Sequence, residues 1–422
     1  MNYRETTDYM FARLPMYHRV GAAAYKADLK PTEEFMAALG HPERRFRSIH
    51  VAGTNGKGSV SHFLASVLQE AGYKVGLYTS PHLVDFRERI RIGGEMIGEQ
   101  EVVDFVQANR DTFERIGLSF FEMTVGMAFS HFAQERVDVA VVEVGMGGRL
   151  DSTNVIVPEL SIITNIGFDH TQFLGDTLEK IAGEKAGIIK EGVPVVVGET
   201  QAETEAVFRA TARERHAPLV FADSRYHIDK VEEYTTELTG DYQKKNIATV
   251  LAAVDELRNT GAFAVSDEQL RRGLARVVTN THLRGRWQVV GEKPLTICET
   301  AHNEPGIRAM LGKLSAMGVE RVHLVYGCVN DKDFGAILEV LGSALAAMGI
   351  AVSWYFTQPT VPRRMPVEAV LQKAQELGID GKAYGKVEDA VAAAQAAAGD
   401  RELVLVTGSI YLVADYLATV GA

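Results

Sequence analysis

Two parts of the chain alternate short apolar runs with longer amphipathic stretches. From about residue 46 to residue 198 the runs are rich in β-branched residues and the stretches have helical periodicity, which predicts a mostly parallel sheet covered by helices. The predicted strands are 48–52, 74–78, 138–144, 160–166 and 194–197, and the predicted helices are 60–71, 101–116, 121–135 and 178–190. Residues 200–290 add helices at 243–259 and 267–275 without a new run of strands, so we assign 1–290 to one domain.

The alternation begins again after the turn at 291–294. Apolar runs separated by helical windows lie at 295–298, 321–326, 351–356 and 402–406. This pattern predicts a second, smaller domain over residues 291–422. The predicted fold class is therefore α/β, with a mostly parallel sheet in the larger domain and a smaller, Rossmann-like α/β domain at the C-terminus.

The composition narrows the class of protein. Of 422 residues, 46% are hydrophobic and 23% charged, which is typical of globular domains and excludes disordered and collagen-like chains. Cys298 and Cys328 are too few for a disulfide scaffold and are not spaced for zinc, so we expect a reducing cytoplasm. We expect neither a signal peptide nor a membrane partner, because no sufficiently long apolar stretch occurs. A net charge of −11 argues against general nucleic-acid binding, but a local site for a small anion stays open.

The sharpest local signal is a glycine-rich loop between the predicted strand 48–52 and the helix near 60. It reads Gly53-Thr54-Asn55-Gly56-Lys57-Gly58-Ser59. Glycines let backbone N–H groups turn toward an anion, the helix N-terminus adds a favourable dipole, and Lys57 supplies positive charge for nucleotide phosphates. The spacing differs from GxxxxGK[ST], since Gly58 separates Lys57 from Ser59. The alternative is a strand-to-helix turn that binds no ligand.

Polar side chains follow two more predicted strands. Glu143 ends an apolar strand before a glycine-rich turn, and Asp169 and His170 follow the strand 160–166. Such positions reach the ligand crevice of parallel sheets, where a carboxylate can hold phosphate-bound Mg²⁺ and a histidine can hold a second divalent ion. The alternatives are a solvated Glu143, a structural His170 and, for Lys185 on the next helix, a solvated lysine. The residues alone predict an enzyme that depends on MgATP.

Several motifs resemble the folylpolyglutamate synthase and dihydrofolate synthase group of the Mur ligase superfamily, and the similarity covers nearly the whole chain. The phosphate loop 50–59 is highly specific for it, including the unusual lysine spacing. Other motifs are 77–83 with 86–90, 142–154, Asp169-His170, 240–246, 285–288, and Glu299-Thr300-Ala301-His302-Asn303. The resemblance implies an ATP-binding domain of the Mur-ligase central type over 1–290 and a glutamate-ligase domain over 291–422.

The resemblance also implies roles for individual residues. Mg²⁺, at two sites, would be held by Ser80, Glu143 and His170, and Lys185 takes the place of a lysine that is carbamylated in several members. Nucleotide contacts would come from Thr54, Asn55, Gly56, Lys57, Gly58, Ser59, Asn246, Arg286 and Glu299. The residues carried over as catalytic are Lys57, Glu143, His170, Lys185 and His302, and the candidate substrate contacts are Phe121, Glu122, Asp151 and Ser409.

The second domain departs from the family pattern in one motif. Glu299 stands where the family usually has aspartate, and the proline that usually follows Asn303 is displaced to Pro305. Later blocks of the family are matched by Gly327, by Asp331-Lys332-Asp333 and by Thr407-Gly408-Ser409.

The activity that the resemblance implies is ATP-dependent ligation. ATP would phosphorylate a carboxylate on a pteridine substrate, and the amine of L-glutamate would attack the acyl phosphate to give an amide, ADP and phosphate. Arg149-Leu150-Asp151 is similar to members that use both dihydropteroate and folates, so we expect a bifunctional, monomeric enzyme. The alternatives are folylpolyglutamate synthesis alone, another Mur-type amino-acid ligase, and, in a different class, a switch or binding module driven by MgATP.

Overall fold

The computed structural model describes residues 1–13, 28–330 and 334–421. The motif Asp331-Lys332-Asp333 lies outside the described residues. The chain forms two compact units, Met1–Glu237 with Gln243–His282, and Leu238–Tyr242 with Leu283–Ala422. The units divide after His282, whereas the predicted boundary follows residue 290. The difference arises because strand Gln288–Glu292 pairs with Leu295–Cys298 and therefore belongs to the second sheet.

The first unit is built on a sheet of eight strands within the described residues. The strands are β1 (Arg47–Ala52), β2 (Val75–Tyr78), β3 (Ile90–Ile92), β4 (Glu95–Met96), β5 (Val139–Glu143), β6 (Leu160–Ile163), β7 (Val195–Val197) and β8 (Leu219–Phe221). Their order is β4-β3-β2-β5-β1-β6-β7-β8, in which β1, β2 and β5 through β8 pair in parallel and β3 and β4 form an antiparallel edge. The prediction of a mostly parallel sheet is confirmed.

Helices accompany this sheet in the first unit. The α-helices are Tyr3–Arg13, Lys30–Ala38, Lys57–Glu70, Glu99–Ile116, Phe120–Gln134, Thr171–Leu174, Leu178–Ala186, Glu205–Glu214, Ala222–Arg225, Ile228–Val231, Asp241–Asn259, Asp267–Ala275 and Val277–Thr281. Short 3-10 turns lie at Pro42–Arg44, Phe86–Arg89 and Ser152–Val155. Every helix in the described ranges lacks the length or the apolarity needed to cross a bilayer.

The strand register brings four loops to one edge of the first sheet. Tyr78 pairs with Val142, Val51 pairs with Glu143, and Ala52 pairs with Ile163. The adjacent parallel strands β2, β5, β1 and β6 therefore end at the same level. In open parallel sheets ligands bind in the crevice outside these carboxyl ends, so the register positions the candidate site.

The second unit repeats this architecture on a smaller scale. Its six strands are β9 (Gln288–Glu292), β10 (Leu295–Cys298), β11 (Arg321–Tyr326), β12 (Ala351–Phe356), β13 (Gly381–Ala383) and β14 (Leu403–Thr407). Their order is β13-β12-β11-β14-β10-β9, with only β9 antiparallel among these strands. The helices of this unit are Glu304–Ala316, Phe334–Ala347, Val367–Glu376, Val387–Ala397 and Ile410–Thr419. The predicted Rossmann-like α/β domain is confirmed as a fold.

Candidate active site

The glycine-rich loop after β1 adopts a backbone that needs glycine at two positions. Gly53 has φ 147° and Gly56 has φ 84°, a conformation that residues with a side chain rarely adopt. A Cβ at Gly53 would collide with the Thr164 hydroxyl, and one at Gly56 would collide with the Asn246 side-chain oxygen. The helix Lys57–Glu70 starts immediately after Gly56. Its first N–H groups and its dipole therefore lie at the carboxyl edge of the sheet, as an anion site requires.

The first residues of this loop are tied to the segment after β6. The Thr54 N–H donates to the Asn165 carbonyl at 2.9 Å, and the Asn55 N–H donates to Asn165 Oδ1 at 2.9 Å. The Thr54 hydroxyl exchanges hydrogen bonds with the backbone of Gly167. These bonds fix the start of the loop, so the remaining residues toward Ser59 are the ones presented at the helix N-terminus.

Two lysine ammonium groups lie beside the same loop. Lys57 Nζ donates to the carbonyls of Gly53 and Thr54 at 2.9 and 3.1 Å, and Lys185 Nζ donates to the Gly53 carbonyl at 2.9 Å. Lys185 is buried, unlike the solvated lysine of the alternative interpretation. Its burial, and next the positive charge of Lys57, lower the pKa of Lys185 to about 7. A substantial fraction of Lys185 is therefore a neutral amine at neutral pH.

Glu143 and Ser80 are joined at the ends of two adjacent strands. Glu143 is buried at the end of β5, and its Oε2 accepts the Ser80 N–H at 3.0 Å. Ser80 lies two residues after β2, which pairs in parallel with β5. The alternative interpretation, in which Glu143 is solvated, is therefore wrong. The backbone of Ser80 and the carboxylate of Glu143 are therefore brought together at the ends of paired strands.

His170 lies beyond the end of β6, in a left-handed backbone conformation with φ 50°. Its N–H donates to Asp169 Oδ1 at 3.0 Å, and its Nε2 lies 3.9 Å from that same oxygen. The short helix Thr171–Leu174 follows directly. Asp169 therefore holds the backbone of His170 in place, and the role of the His170 ring as a metal ligand stays a prediction.

The donors at this edge fit a divalent ion bound together with phosphates. Ser80 offers a hydroxyl, Glu143 a carboxylate and His170 a ring nitrogen. Within the described ranges no group of three or more His, Cys, Asp and Glu side chains could hold a metal ion by itself. Mg²⁺ is usually held by one or two carboxylates with substrate phosphates and water, so this incomplete protein set suits such an ion.

A glycine-rich turn after β5 packs closely on the helix that carries Lys185. A Cβ at Gly148 would lie 3.1 Å from the Lys185 Cα, and a Cβ at Gly187 would collide with Arg149. Arg149 also pairs with Glu184, Nη2 to Oε1, at 2.8 Å. The glycines therefore allow the close approach that sets Lys185 against the phosphate loop.

Asp151 is buried and caps the 3-10 turn Ser152–Val155. Its carboxylate accepts the Thr153 N–H at 3.0 Å, the Thr153 hydroxyl at 2.5 Å and the Met146 N–H at 2.9 Å. Burial raises the pKa of Asp151, although these hydrogen bonds act in the opposite direction. The cap is therefore the role that the geometry gives Asp151, and its contact with substrate stays a prediction.

Phe121 and Glu122 open the helix Phe120–Gln134. Glu122 is buried in a capping box, where its carboxylate accepts the Ser119 N–H at 2.5 Å and its own N–H donates to Ser119 Oγ at 3.2 Å. The Phe121 ring lies 6.1 Å from the Tyr78 ring, and a Cβ at Gly145 would collide with it. Phe121 thus borders the strand ends, while the substrate contacts of both residues stay predictions.

Asn246 borders the phosphate loop from the helix Asp241–Asn259. Its Nδ2 donates to Gln243 Oε1 at 2.7 Å, and Gln243 Nε2 donates to Ser59 Oγ at 3.3 Å. Gln243 is fully buried. Asn246 is a predicted nucleotide contact and Gln243 is not, although Gln243 precedes Asn246 by three residues on the same helix and so shares its face.

In the second unit, a buried carboxylate organises the chain around β9. Glu299 Oε2 accepts the Trp287 N–H at 2.9 Å and the Tyr242 hydroxyl at 3.2 Å. Burial raises the pKa of Glu299, and the charge of Arg286 acts in the opposite direction. The Arg286 guanidinium donates to the Thr300 hydroxyl. The structure thus groups Arg286 with Glu299 in this unit, whereas the predicted boundary after residue 290 placed Arg286 in the first domain.

The remaining predicted residues of the second unit lie at helix starts. Asn303 caps the helix Glu304–Ala316, and Pro305 falls in its first turn, where a missing N–H costs nothing. His302 Nδ1 lies 2.9 Å from the Thr300 carbonyl. Ser409 caps the helix Ile410–Thr419, accepting the Tyr411 N–H at 3.2 Å. The displaced proline is therefore accommodated by the fold.

Comparison with known proteins assigns both halves of the chain. Residues 51–254 match the Mur ligase middle domain, and residues 285–410 match the Mur ligase glutamate ligase domain. A dihydrofolate synthase/folylpolyglutamate synthase of Bacillus subtilis is 34% identical over 417 residues, covering 92% of this chain and 94% of that protein. The chain belongs to the folylpolyglutamate synthase and dihydrofolate synthase family. It is thus a member of a family of ATP-dependent ligases that form carbon–nitrogen bonds.

Other members of this family share both sequence and architecture with the chain. The dihydrofolate synthase/folylpolyglutamate synthase of Escherichia coli is 35% identical, covering 88% of this chain and 86% of that protein. The structure of E. coli FolC in complex with DHPP and ADP has a TM-score of 0.85 at 30% identity, covering 100% of this chain and 98% of that one. A bifunctional synthase structure with Mn, AMPPNP and L-glutamate bound has a TM-score of 0.83 at 29% identity, covering 100% and 98%. The predicted family and fold are confirmed.

Three residues around the phosphate loop of this synthase were not predicted from the motifs. Asn165 holds the start of the phosphate loop, and Gln243 reaches Ser59. Thr164 faces Gly53 closely enough to require glycine there. Thr164 and Asn165 directly follow β6, and Gln243 lies three residues before Asn246. These positions are the only features of the sequence that could have indicated their roles.

Proposed function

We propose that the protein is an ATP-dependent ligase that adds L-glutamate to dihydropteroate and to folates, that is, a bifunctional dihydrofolate synthase and folylpolyglutamate synthase. The observation that carries this proposal is the convergence of the phosphate loop, Glu143 with Ser80, and His170 at one edge of the first sheet. Family membership supplies the acceptor class, because the relatives bear both enzyme names.

The reaction proceeds in two steps in which the protein forms no covalent bond. A carboxylate oxygen of the pteridine substrate attacks the γ-phosphorus of ATP, and the bond to the ADP oxygen breaks. The amine nitrogen of L-glutamate then attacks the acyl carbon, loses a proton and expels phosphate, which leaves an amide. Catalysis therefore depends on positioning and on stabilising charge on the transferred phosphoryl group.

The first unit supplies the groups for phosphoryl transfer. The N-terminus of helix Lys57–Glu70 and the Lys57 ammonium bind the nucleotide phosphates, with Thr54, Asn55, Gly58 and Asn246 shaping the site. Mg²⁺, held by Ser80, Glu143 and His170, would neutralise phosphate charge when bound. Two ion sites and Mg²⁺ as the physiological ion are part of this proposal.

Lys185 is proposed to bear a carbamate in the working enzyme. Its neutral amine would form a bond from Nζ to the carbon of CO₂ and release one proton to water. The low pKa of Lys185 supports this step, because only the unprotonated amine is nucleophilic. The product would place negative charge next to Lys57.

Further residues are proposed to bind the acceptor, the nucleotide and the amino acid. Phe121, Glu122 and Asp151 are assigned to the pteridine substrate, and Arg286, Glu299, His302 and Ser409 to nucleotide and glutamate. The Phe121 ring beside the strand ends supports the first assignment. A monomeric state is also proposed.

The test is ADP release by the purified protein with MgATP and L-glutamate, using dihydropteroate and tetrahydrofolate as separate acceptors. Release with both acceptors, and only when glutamate is present, supports the bifunctional ligase. Release with tetrahydrofolate alone restricts the protein to folylpolyglutamate synthesis. If neither acceptor gives glutamate-dependent release, the proposal fails, and other Mur-type acceptors or a MgATP-driven switch become the alternatives.

A further inference from the structure

The segment that joins β2 to β3 is closed on itself by one carboxylate. Glu88 Oε2 accepts the Leu83 N–H at 2.8 Å, and Glu88 Oε1 accepts the N–H groups of Val84 and Asp85 at 2.9 Å each. Three consecutive N–H groups therefore bind one side chain from the far end of the same segment. Charge-assisted bonds of this kind are about twice as strong as neutral ones, so the turn is well fixed.

A buried arginine binds the same turn from its other side. Arg89 is only 3% exposed, and its Nε donates to His82 Nδ1 at 2.7 Å. A guanidinium has donors only, so Nδ1 must be the ring nitrogen without a proton. The Arg89 guanidinium carbon lies 5.2 Å from the Phe120 ring centroid, and the His82 ring meets Phe86 edge to face at 6.2 Å. Both partners of this hydrogen bond are thus held by packing.

The same arginine brackets Ser80 in the chain. The Arg89 carbonyl accepts the Thr79 N–H at 3.0 Å, while its side chain holds His82. Only Ser80 and one proline lie between these two anchored residues. The Ser80 N–H in turn donates to Glu143 Oε2 at 3.0 Å. Ser80 is therefore fixed on both sides by Arg89 and directed at Glu143.

We propose that His82, Glu88 and Arg89 form a clamp that positions Ser80 against Glu143 and thereby sets the affinity of the enzyme for the divalent ion bound with the nucleotide. The proposal rests on the proposed function, which assigns Ser80 and Glu143 to that ion. The three clamp residues are positioning residues, since they act through Ser80.

Loosening the clamp should affect binding of the divalent ion and not binding of the nucleotide, whereas general destabilisation would affect both. The phosphate loop follows β1 and is tied to Asn165, which is a different attachment from that of the Ser80 turn. Loosening the clamp should therefore weaken binding of the divalent ion while affinity for the metal-free nucleotide stays unchanged. Loss of a group that orients a metal ligand typically lowers metal affinity about 10- to 100-fold.

Arg87 provides a matched control two residues from Arg89. It is an arginine of the same turn, and its guanidinium binds Asp85 rather than His82, with a shortest distance of 2.7 Å. Replacing Arg87 removes the same charge from the same segment and leaves the bonds of Arg89 to Thr79 and His82 in place. An effect shared by both arginines would be electrostatic, and an effect confined to Arg89 would be positional.

The experiment measures Mn²⁺ binding to the full chain by electron paramagnetic resonance in the presence of a non-hydrolysable ATP analogue. The variants are Arg89→Met, His82→Leu, His82→Asn, Glu88→Gln and the control Arg87→Met. Affinity for the analogue without metal and the thermal unfolding midpoint are measured for each. We expect Arg89→Met and His82→Leu to bind Mn²⁺ about 10- to 100-fold more weakly, with analogue affinity unchanged.

His82→Asn should restore most of the affinity, because the asparagine oxygen can occupy the position of the Nδ1 acceptor. Wild-type Mn²⁺ affinity in folded Arg89→Met and His82→Leu would overturn the proposal, as would an equal loss in Arg87→Met. If Arg89→Met and His82→Leu do not fold, Glu88→Gln tests the proposal, because glutamine keeps one of the two oxygen acceptors. We expect this variant to bind Mn²⁺ more weakly, and unchanged Mn²⁺ affinity would overturn the proposal. Absence of Mn²⁺ binding with the analogue in the wild-type protein would instead contradict the proposed function itself.

Discussion

Lys57 and Lys185 donate to the same acceptor, the Gly53 carbonyl oxygen, at 2.9 Å each. One lysine comes from the first turn of the helix after the phosphate loop and the other from the helix after β6. The burial of Lys185, and next the positive charge of Lys57, favour loss of the Lys185 proton. The positive charge of Lys57 beside this loop suits the phosphates of a nucleotide.

The shifted pKa of Lys185 predicts a pH-dependent stability. In the unfolded chain this lysine has an ordinary pKa of 10.5, whereas burial lowers its folded pKa to about 7. Between these values the unfolded chain binds more protons, so stability rises with pH by up to about 1.4 kcal/mol per unit. Lys185→Met lacks this dependence. Its free energy of unfolding should exceed that of the wild type most below about pH 7, and this advantage should shrink toward about pH 10.

The measurement is urea unfolding of both proteins at several pH values in buffers freed of bicarbonate, so that the amine stays unmodified. Lys180→Met removes an exposed lysine from the same helix and serves as the control. A constant difference between Lys185→Met and the wild type at every pH would show that Lys185 stays protonated in the fold.

The two ends of the helix Lys57–Glu70 offer a matched pair of glycines. Gly56 and Gly72 have φ 84° and 91°, but a Cβ at Gly56 collides with Asn246 whereas one at Gly72 meets open space. Gly72→Ala should cost about 1 to 2 kcal/mol from backbone strain alone. Gly56→Ala should cost more and should also abolish nucleotide binding, because Asn246 must move. Chemical denaturation and titration with ADP test this, and equal stability losses in both variants would contradict it.

The long, periodic elements could be predicted from the sequence, and the short ones could not. Strands β10, β11 and β12 and the helix Asp267–Ala275 have the predicted bounds. Strands β3, β4, β8 and β13 contain two or three residues each, too few for an alternation to stand out. Strand β9 is partly exposed and antiparallel, and missing it displaced the predicted domain boundary.

The identities of the site residues were more predictable than their contacts. Glycines and acids at strand ends indicated the phosphate loop and Glu143, because parallel strands converge at one edge. The capping box of Ser119 and Glu122 has a recognisable S-x-x-E pattern, so its structural role could have been expected. The bond from Arg89 to His82 depends on how the turn folds, and no spacing rule predicts it.

Ser409 is predicted to combine a structural role with a binding role. Its hydroxyl caps the helix Ile410–Thr419, so Ser409→Ala should cost about 1 kcal/mol of stability. If Ser409 also contacts glutamate, as proposed, the KM for L-glutamate should rise as well. Ser266 caps the helix Asp267–Ala275 in the same way, with Oγ to Gln269 N at 3.2 Å, and makes Ser266→Ala the control.

Steady-state kinetics and thermal unfolding of the two serine variants decide the question. Both should lose similar stability, and only Ser409→Ala should show the higher KM. Identical KM values in the two variants would leave Ser409 with its capping role and contradict the proposed contact.

Glu299→Gln should stabilise the fold, and increasingly so as the pH rises. Burial raises the pKa of Glu299 above its ordinary value of 4.5, so the folded chain binds more protons than the unfolded chain just above that pH. Stability of the wild type therefore falls as the pH rises from about 4.5 toward the raised pKa, by at most about 1.4 kcal/mol per unit. Glutamine escapes this loss, and its side-chain oxygen can still accept from Trp287 and Tyr242.

Urea unfolding of Glu299→Gln and the wild type at about pH 4, 5.5 and 7 tests this prediction. Glu292→Gln changes an exposed residue on β9 and serves as the control. A difference between Glu299→Gln and the wild type that shrinks with rising pH would mean that the charges of Arg286 and Lys313 outweigh burial at this carboxylate.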